Sequence, residues 1–322
     1  MGEPDPDTRV AASRGRLAYG IQLPVQSQST LYAQAWEAAA GPADLVAVAQ
    51  AADRAGFGYL ACCDHVAVPR RLAPAMGTVW YDPVATLAHL AAVTERVRLL
   101  SHVAVVGLRH PLLTAKQYAT LDQLSGGRLI LGVGAGHVRE EFEALGAEFE
   151  RRGAVLDETI DALRSALGPA EYPEHHGKRY DFADLGQLPR PAQRHVPLWV
   201  GGSSPAAVRR AALKADGWLP QGDPRGRLPG QLARIRRLRE EAGLEGEFTV
   251  GAITEALYVG EPGWDVGPRT LTGTPEEIAG SLRAYPAMGV DQIQVRFRSR
   301  SRAELIDQIG AFGTTVAPLL TD

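Results

Sequence analysis

The amino-acid sequence predicts an α/β fold, a TIM (β/α)8 barrel with loop insertions in a single domain. Apolar segments of strand length alternate with segments of helical periodicity, and about eight such pairs follow one another along the chain. Polar residues come directly after several of these strands, at the end where barrels of this kind hold their active sites. The length of 322 residues and the 45% hydrophobic content are ordinary for such a barrel.

Residues 121–145 show the repeating unit most clearly. A helix with a seam of leucines is predicted to end at Gly126, because glycine adopts the left-handed conformation of a C-cap. The run 128–133 is apolar almost throughout, which is typical of a strand buried on both faces. The strand ends in Gly-Ala-Gly at 134–136, where small residues let a bound molecule approach the backbone. A polar cluster at 137–141 follows it.

The same glycines resemble a dinucleotide-binding fingerprint, and two observations argue against that interpretation. In the pattern G-x-G-x-x-G that starts at Gly132 and Gly134, the last glycine would fall on His137. The fingerprint also belongs on the first βα turn of its fold, whereas this strand comes about 130 residues into the chain. A nicotinamide-binding Rossmann domain is therefore not expected.

The remaining elements are bounded by caps, glycines and prolines. N-caps followed by proline at the first helical position are predicted at Asp82, His110, Ser204 and Thr274, and Thr274 also opens a capping box. Residues 168–195, with a short hairpin, and 260–273 are predicted insertions. Residues 1–16 are predicted to be a disordered leader, and 17–322 the barrel domain. Strands are predicted at 17–23, 59–63, 97–106, 128–133, 197–200, 216–219, 248–259 and 292–297, and the last helix at 303–318.

Charge and composition indicate which classes of partner to expect. A net charge of −3 and a pI near 6.3, without a basic cluster, predict no nucleic-acid partner. The sequence lacks both an apolar run of membrane-spanning length and a signal-peptide core, so we expect a cytoplasmic protein without a membrane partner. Adjacent Cys62 and Cys63 favour small buried residues over a disulfide or metal site, and His175-His176 are predicted to form a solvated turn.

Five patches, in the right order, resemble the bacterial-luciferase-like family of flavin and deazaflavin oxidoreductases. The resemblance covers almost the whole chain from about residue 17. It implies a TIM barrel that binds a flavin-type ring at the carboxyl ends of its strands, acts on a small-molecule substrate and forms a homodimer. The patches are CDHVAVP (63–69), DPVATLAHLAAVTERVRL (82–99), LRHPLLTAKQYATLDQLSGGRLILGVGAG (108–136), PLWVGGSSPAAVRRAALKADGWLP (197–220) and LTGTPEEIAGSLRAYPAMGVDQIQVRF (271–297).

The resemblance also implies a cofactor. The pair Asp64-His65 resembles the subgroup that uses the deazaflavin coenzyme F-420, in which this histidine lies against the reactive ring, whereas FMN-dependent members more often carry a Glu-His type pair. A non-prolyl cis peptide that backs the ring is implied around Val103-Ala104. His137 stands where F-420-dependent sugar-phosphate dehydrogenases have glutamate and many relatives have tryptophan, so the sugar-phosphate substrate does not carry over.

The implied reaction is hydride exchange between F-420 and a CH–OH, C=C or C=N group. His65 is the first candidate for a catalytic residue, because hydride exchange with an alcohol also moves a proton, and imidazole titrates near neutrality. Asp64 is expected to contact the ring through its backbone. His137 is a candidate second proton donor or pocket residue. The alternatives are a surface-loop histidine at 65 and a helix-start histidine at 137. An FMN-dependent monooxygenase and a non-catalytic flavin-binding relative remain alternative functions.

Further cofactor contacts are expected around the barrel mouth. Ala135 and Gly136 would allow close approach, and Gly201, Gly202 and Ser203 precede a helix N-terminus that favours a phosphate. Glu140 corresponds to a polar cofactor contact in some relatives, whereas Glu141 is assigned to the helix dipole. Four arginines at 296, 298, 300 and 302 would share one side if the last strand extends, and at least half of them are expected to form a solvated edge. The loops expected to contact substrate are 24–42, 66–81, 168–195 and 221–230.

Overall fold

In a computed structural model, eight parallel strands close into a barrel with helices between them, as predicted. The structure describes residues 17–27, 29–30, 32–221 and 225–320, so the predicted leader at 1–16 and parts of two predicted loops lie outside it. The barrel order is β1-β12-β9-β8-β7-β4-β3-β2. The strands are β1 (Ala18–Gln22), β2 (Tyr59–Cys62), β3 (Arg98–Ser101), β4 (Leu129–Val133), β5 (His175–His176), β6 (Asp181–Phe182), β7 (Leu198–Val200), β8 (Gly217–Trp218), β9 (Thr249–Ile253), β10 (Ala256–Val259), β11 (Thr270–Gly273) and β12 (Gln292–Val295).

The parallel register closes the ring at the first strand. Ala18 is the partner of Gln292 on β12, and Ile21 is the partner of Leu60 on β2. Every other neighbouring pair in the ring is also parallel. All eight carboxyl ends therefore open at one face, where residues following β2, β3, β4 and β7 meet.

The helices begin where the caps predicted them. The side chains of Asp82, His110, Ser204 and Thr274 each accept a backbone N–H of the first helical turn, and Gly126 ends its helix with a φ of 66°. No helix among the described residues is both long and apolar enough to cross a bilayer. The helices are α1 (Pro42–Arg54), α2 (Ala73–Met76), α3 (Pro83–Ala91), α4 (Pro111–Ser125), α5 (Arg139–Ala144), α6 (Arg152–Ala166), α7 (Pro205–Lys214), α8 (Leu228–Glu241), α9 (Pro275–Leu282), α10 (Ala284–Met288) and α11 (Arg302–Ala311).

The inside of the barrel is packed with side chains. An inner apolar cluster is separate from the larger core between strands and helices. Polar side chains replace it toward the mouth, where Gln294 Nε2 donates to Gln22 Oε1 at 2.8 Å and Gln22 Nε2 donates to Cys63 Sγ at 3.0 Å. The members of the inner cluster are Tyr59, Ala61, Leu100, Ile130, Trp199 and Leu219.

Two predicted strands are too long. The third strand ends at Ser101 rather than near residue 106. Beyond it Ala104 still pairs with Val133 on β4, and the Val105 N–H donates to the Asp64 carboxylate. The predicted strand 248–259 is two strands, β9 in the barrel and β10 outside it. β10 pairs in parallel with β11, which lies within the predicted insertion 260–273. At the end of β10, the Val259 N–H and C=O bond the side chain of Gln308 on α11.

Two smaller predictions also need correction. The last helix is not regular over 303–318, because α11 is followed by a π-helical segment, Phe312–Val316, and a 3-10 turn, Ala317–Leu320. The predicted hairpin in 168–195 is confirmed as β5 and β6, but His175 and His176 are strand residues in it rather than a solvated turn. His175 stacks near Phe182, and His176 bonds Asp181.

Glu304 on α11 fastens the segment after β10 to the barrel. Its carboxylate accepts the Tyr258 hydroxyl at 3.0 Å, the Trp264 indole N–H at 3.2 Å and two N–H groups of the Arg300 side chain. The hydrogen bond from Arg300 is the largest of the effects that lower the pKa of Glu304, from 4.5 to about 2. The stabilising effect of the ionised carboxylate is therefore complete above pH 4.5 and is lost as the pH falls toward 2.

We expect Glu304→Gln to lower the free energy of unfolding by about 1–2 kcal/mol at pH 7, since the amide keeps some hydrogen bonds but loses the charge. The difference from wild type should shrink at pH 3, where the native carboxylate begins to protonate. Urea unfolding of both proteins at pH 7 and pH 3 measures it. A difference that stays constant between the two pH values would show that the charge of Glu304 contributes nothing.

Candidate functional site

The carboxyl ends of β3, β4 and β7 meet at the side chain of Val103. A Cβ on Gly134 would lie 2.5 Å from Val103 Cγ2, and a Cβ on Gly201 would lie 2.5 Å from Val103 Cγ1. Both positions therefore require glycine, because any larger residue would displace Val103. The non-prolyl cis peptide implied at Val103-Ala104 is present one bond earlier, at His102-Val103. The ends of these three strands therefore meet at one mouth.

Asp64 holds this bend from the neighbouring strand. Its buried carboxylate accepts the Val105 N–H at 2.9 Å and two N–H groups of Arg109, at 2.6 and 2.9 Å. The side chain is thus committed to an ion pair inside the protein. A contact of Asp64 with a ring through its backbone stays a prediction.

His65 follows Asp64 and is paired with a different carboxylate. Its Nδ1 lies 3.1 Å from Oε2 of Glu141, whose side chain is fully buried. The other oxygen of Glu141 accepts the N–H groups of Val66 and Ala67, at 2.5 and 3.2 Å. Burial raises the pKa of Glu141, but the hydrogen bond and charge of His65, with both N–H groups, outweigh it and leave the pKa below its ordinary value.

This arrangement determines the tautomer of His65. An ionised carboxylate only accepts hydrogen bonds, so Nδ1 carries the hydrogen that lies between it and Glu141. In the neutral ring Nε2 then carries a lone pair, and it bonds none of the residues that the structure describes. A proton acceptor with a fixed orientation thus results, next to a buried carboxylate.

Two aromatic side chains border His65. The ring of Trp80 lies 4.6 Å from it and the ring of His137 lies 5.4 Å from it, both edge to face. Burial, followed by the charge of His65, lowers the pKa of His137, so His137 is neutral at pH 7. The structure thus brings the two predicted catalytic histidines together. Their catalytic roles stay predictions.

The sequence argument assigned Glu141 to the helix dipole and did not find its contact with His65. Its place in the first turn of α5 suits a helix dipole, but the structure pairs it with His65. Its position just after a barrel strand indicates a place near the mouth of the barrel, although no local sequence pattern shows which histidine it contacts. Glu140, the predicted cofactor contact, bonds Arg71 with its two carboxylate oxygens at 2.5 and 2.9 Å. That ion pair ties the loop 66–81 to the start of α5.

The other predicted cofactor contacts lie at the same mouth. Ala135 and Gly136 are half-buried beyond the end of β4. The Gly201 N–H donates to Val133 O at 3.0 Å and is therefore occupied. The N–H groups of Gly202 and Ser203 donate to none of the described residues, just before the Ser204 N-cap of α7. An anion site at this helix N-terminus would use Gly202 and Ser203 rather than Gly201.

The side shared by the four arginines depends on an extended strand; β12 ends at Val295, and beyond it Phe297 still pairs with Leu257. Arg298 reaches Thr270, Arg300 pairs with Glu304, and Arg302 pairs with Asp44. Arg296 alone of the four turns to the ring of Tyr32, 3.9 Å from its centroid.

Comparison with known sequences places this site in a family context. The family model described as luciferase-like monooxygenase matches residues 17–262. An uncharacterised protein of Mycobacterium tuberculosis is 35% identical over 221 residues, which cover 65% of this chain and 76% of that protein. The FMNH2-dependent dimethylsulfone monooxygenase of Pseudomonas putida is 27% identical, over 85% of this chain and 87% of that protein.

Solved structures share the fold. The monooxygenase RslO1 from Streptomyces bottropensis has a TM-score of 0.77 at 22% identity, covering 94% of this chain and 99% of its own. An F-420-dependent secondary alcohol dehydrogenase has a TM-score of 0.75 at 16% identity, covering 95% and 100%. The F-420-dependent tetrahydromethanopterin reductase of Methanopyrus kandleri has a TM-score of 0.74 at 20% identity, covering 94% and 99%. At these identities the likeness concerns the fold alone.

Replacing Asp64 tests whether its ion pair holds the mouth together. We expect Asp64→Asn to lower the free energy of unfolding by about 3 kcal/mol, because it leaves the guanidinium of Arg109 without its buried partner. The exposed Asp307→Asn, the same change on α11, should have an effect within about 0.5 kcal/mol. Urea unfolding at pH 7 compares them. Equal effects of the two substitutions would contradict the assigned role of Asp64.

Proposed function

Because this chain belongs to the luciferase-like monooxygenase family, we propose that it is an F-420-dependent oxidoreductase. In this proposal it transfers a hydride between the deazaflavin and a small organic substrate, at a CH–OH, C=C or C=N group. The observation that carries the proposal is the pair of His65 and buried Glu141 at the mouth of the barrel, 3.1 Å apart. Two F-420-dependent enzymes of the same fold support the choice of cofactor.

The residues at the mouth fit a planar ring with a phosphate-bearing chain. Val103 presents an apolar surface, and glycines at 134 and 201 accommodate it. The free N–H groups of Gly202 and Ser203 suit a phosphate at the start of α7. Ala135 and Gly136 leave the backbone approachable between these two places. These residues would hold the cofactor along the ends of β3, β4 and β7.

When bound, a deazaflavin supplies a carbon centre that takes up or releases two electrons as a hydride. His65 Nε2 is assigned the accompanying proton: it accepts the proton of a substrate hydroxyl during oxidation and returns it during reduction. Glu141 holds Nδ1 and stabilises the ring in its protonated state. His137, neutral and next to His65, is assigned to the lining of the substrate pocket.

An FMN-dependent monooxygenase is the second candidate, and the relative in Pseudomonas putida favours it. Cofactor binding separates the two. We expect the purified protein to bind F-420 at least about tenfold more tightly than FMN, a difference of about 1.4 kcal/mol. Fluorescence titration with each cofactor, with mass spectrometry of any cofactor retained on purification, measures the preference. Retained FMN, or tighter binding of FMN, would favour the monooxygenase.

A non-catalytic flavin-binding protein is the third candidate, and substitution of His65 tests it. In protein loaded with F-420 and screened against small alcohols, His65→Ala should lower kcat by about 10²–10⁴, the usual contribution of a proton-transfer group. Glu141→Gln should lower kcat less and leave KM unchanged, because it acts through His65. The exposed His89→Ala on α3 is the matched control and should keep full activity. Turnover that survives His65→Ala excludes our assignment.

We further propose a cytoplasmic homodimer, which the family resemblance supports. The mass in solution, measured by light scattering during size-exclusion chromatography, should be twice that of the 34.5 kDa chain. A monomeric mass would refute the dimer.

A further inference from the structure

A small cavity lies at the mouth between the end of β1 and the segment after β12. Its volume is about 40 Å³, and its lining includes Gln22, Tyr32, Gln34, Ser299 and Arg296. This volume holds a group of a few heavy atoms, such as a carboxylate, and not a whole substrate. The cavity is thus a place for one polar end of a bound molecule.

The carboxylate of Glu37 also lines this cavity, but the guanidinium of Arg296 forms no ion pair with it. It stacks on Tyr32 and forms no ion pair with any residue that the structure describes. Burial is the main cause that lowers the pKa of Arg296, with a further contribution from Arg298. A half-buried guanidinium remains charged, and its five N–H donors fit a carboxylate in a planar, bidentate arrangement.

Other polar groups of the cavity already have hydrogen-bond partners within the protein. Gln34 Nε2 donates to Tyr32 O, and Ser299 Oγ accepts the indole N–H of Trp36. The two oxygens of Glu37 accept the N–H groups of Val25 and Gln34. Arg296 is therefore the group in this cavity whose charge is left for a ligand to neutralise.

Arg296 lies at the same mouth as His65. It follows Gln292 and Gln294 of β12 at the same two-residue spacing. Gln294 donates a hydrogen bond to Gln22, and Gln22 donates one to Cys63. Cys63 precedes His65 by two residues at the end of β2.

We propose that Arg296 binds a carboxylate of the substrate, so that the substrate is a small organic acid whose reacting carbon lies toward His65. The inference rests on the proposed function for the reaction, but it assigns a separate part of the site. Because the cavity accommodates little more than the carboxylate, a neutral amide or alcohol of the same shape would bind weakly.

The test compares a carboxylate with its uncharged isostere. Isothermal titration of protein saturated with F-420 should give a dissociation constant for butyrate at least tenfold lower than for butyramide. In Arg296→Gln butyrate binding should weaken at least tenfold while butyramide is unchanged, and Arg296→Lys should retain part of the preference. Arg298→Gln, two residues along the chain, is the matched control and should behave as wild type. Equal binding of butyrate and butyramide by wild type would overturn the proposal.

A second arm separates a substrate carboxylate from an anionic part of the cofactor. Wild type and Arg296→Gln are titrated with F-420 and with its chromophore lacking the phosphate and acidic tail. If Arg296→Gln weakens the binding of F-420 but not that of the shortened chromophore, Arg296 is assigned to the cofactor and the proposal is overturned. If wild type binds no F-420, the proposed function fails, whereas the butyrate and butyramide comparison on the unloaded chain still decides the role of Arg296. Should Arg296→Gln not fold, Arg296→Lys and wild type give the comparison.

Discussion

The mouth of this barrel depends on the buried carboxylate of Asp64. A charge in such a place is stable only when it is paired and hydrogen-bonded, and Asp64 satisfies the condition with Arg109 and the Val105 N–H. These partners belong to the segment that leaves β3, whereas Asp64 leaves β2. The ion pair therefore joins two neighbouring strand ends and directs the chain between them. With the segment held, Val103 reaches Gly134 and Gly201 on the next two strands of the ring.

A second buried carboxylate, that of Glu141, has a different role at the same mouth. Glu141 comes from the segment after β4, and it bonds His65 together with the two N–H groups that follow His65. His65 is thus held from both sides, through the backbone of Asp64 before it and through Glu141 beside it. Asp64 supports the bend of the chain after β3, and Glu141 orients the imidazole of His65. The separation leaves His65 Nε2 available for chemistry without weakening the support of the bend.

The charges at the mouth are arranged around the reaction that we propose. Hydride exchange at a carbon that bears a hydroxyl requires a proton acceptor close to that carbon, and His65 with Glu141 provides one. His137 beside it is neutral at pH 7. The fixed positive charge of Arg296 lies apart, over Tyr32. In the proposed reaction, one end of the mouth therefore accepts and returns a proton, and the other end attracts an anion.

Much of this protein followed from the sequence, because the signals concerned are local. The caps at Asp82, His110, Ser204 and Thr274 depend on backbone groups within one turn, so the starts of four helices were predicted correctly. Alternation of apolar strands with amphipathic helices predicted the barrel, and the polar residues after the strands marked its mouth.

The tertiary structure decided what depends on residues distant in the chain. Beyond the third strand the Val105 N–H donates to Asp64, 41 residues away in the chain, and β10 leaves the barrel and contacts α11. Glu141 meets His65 across 76 residues, and Arg296 lies over the ring of Tyr32, which is far from it in the chain. Sequence patterns report which residues are buried and where elements begin; which charges neutralise each other is determined only when the ring closes.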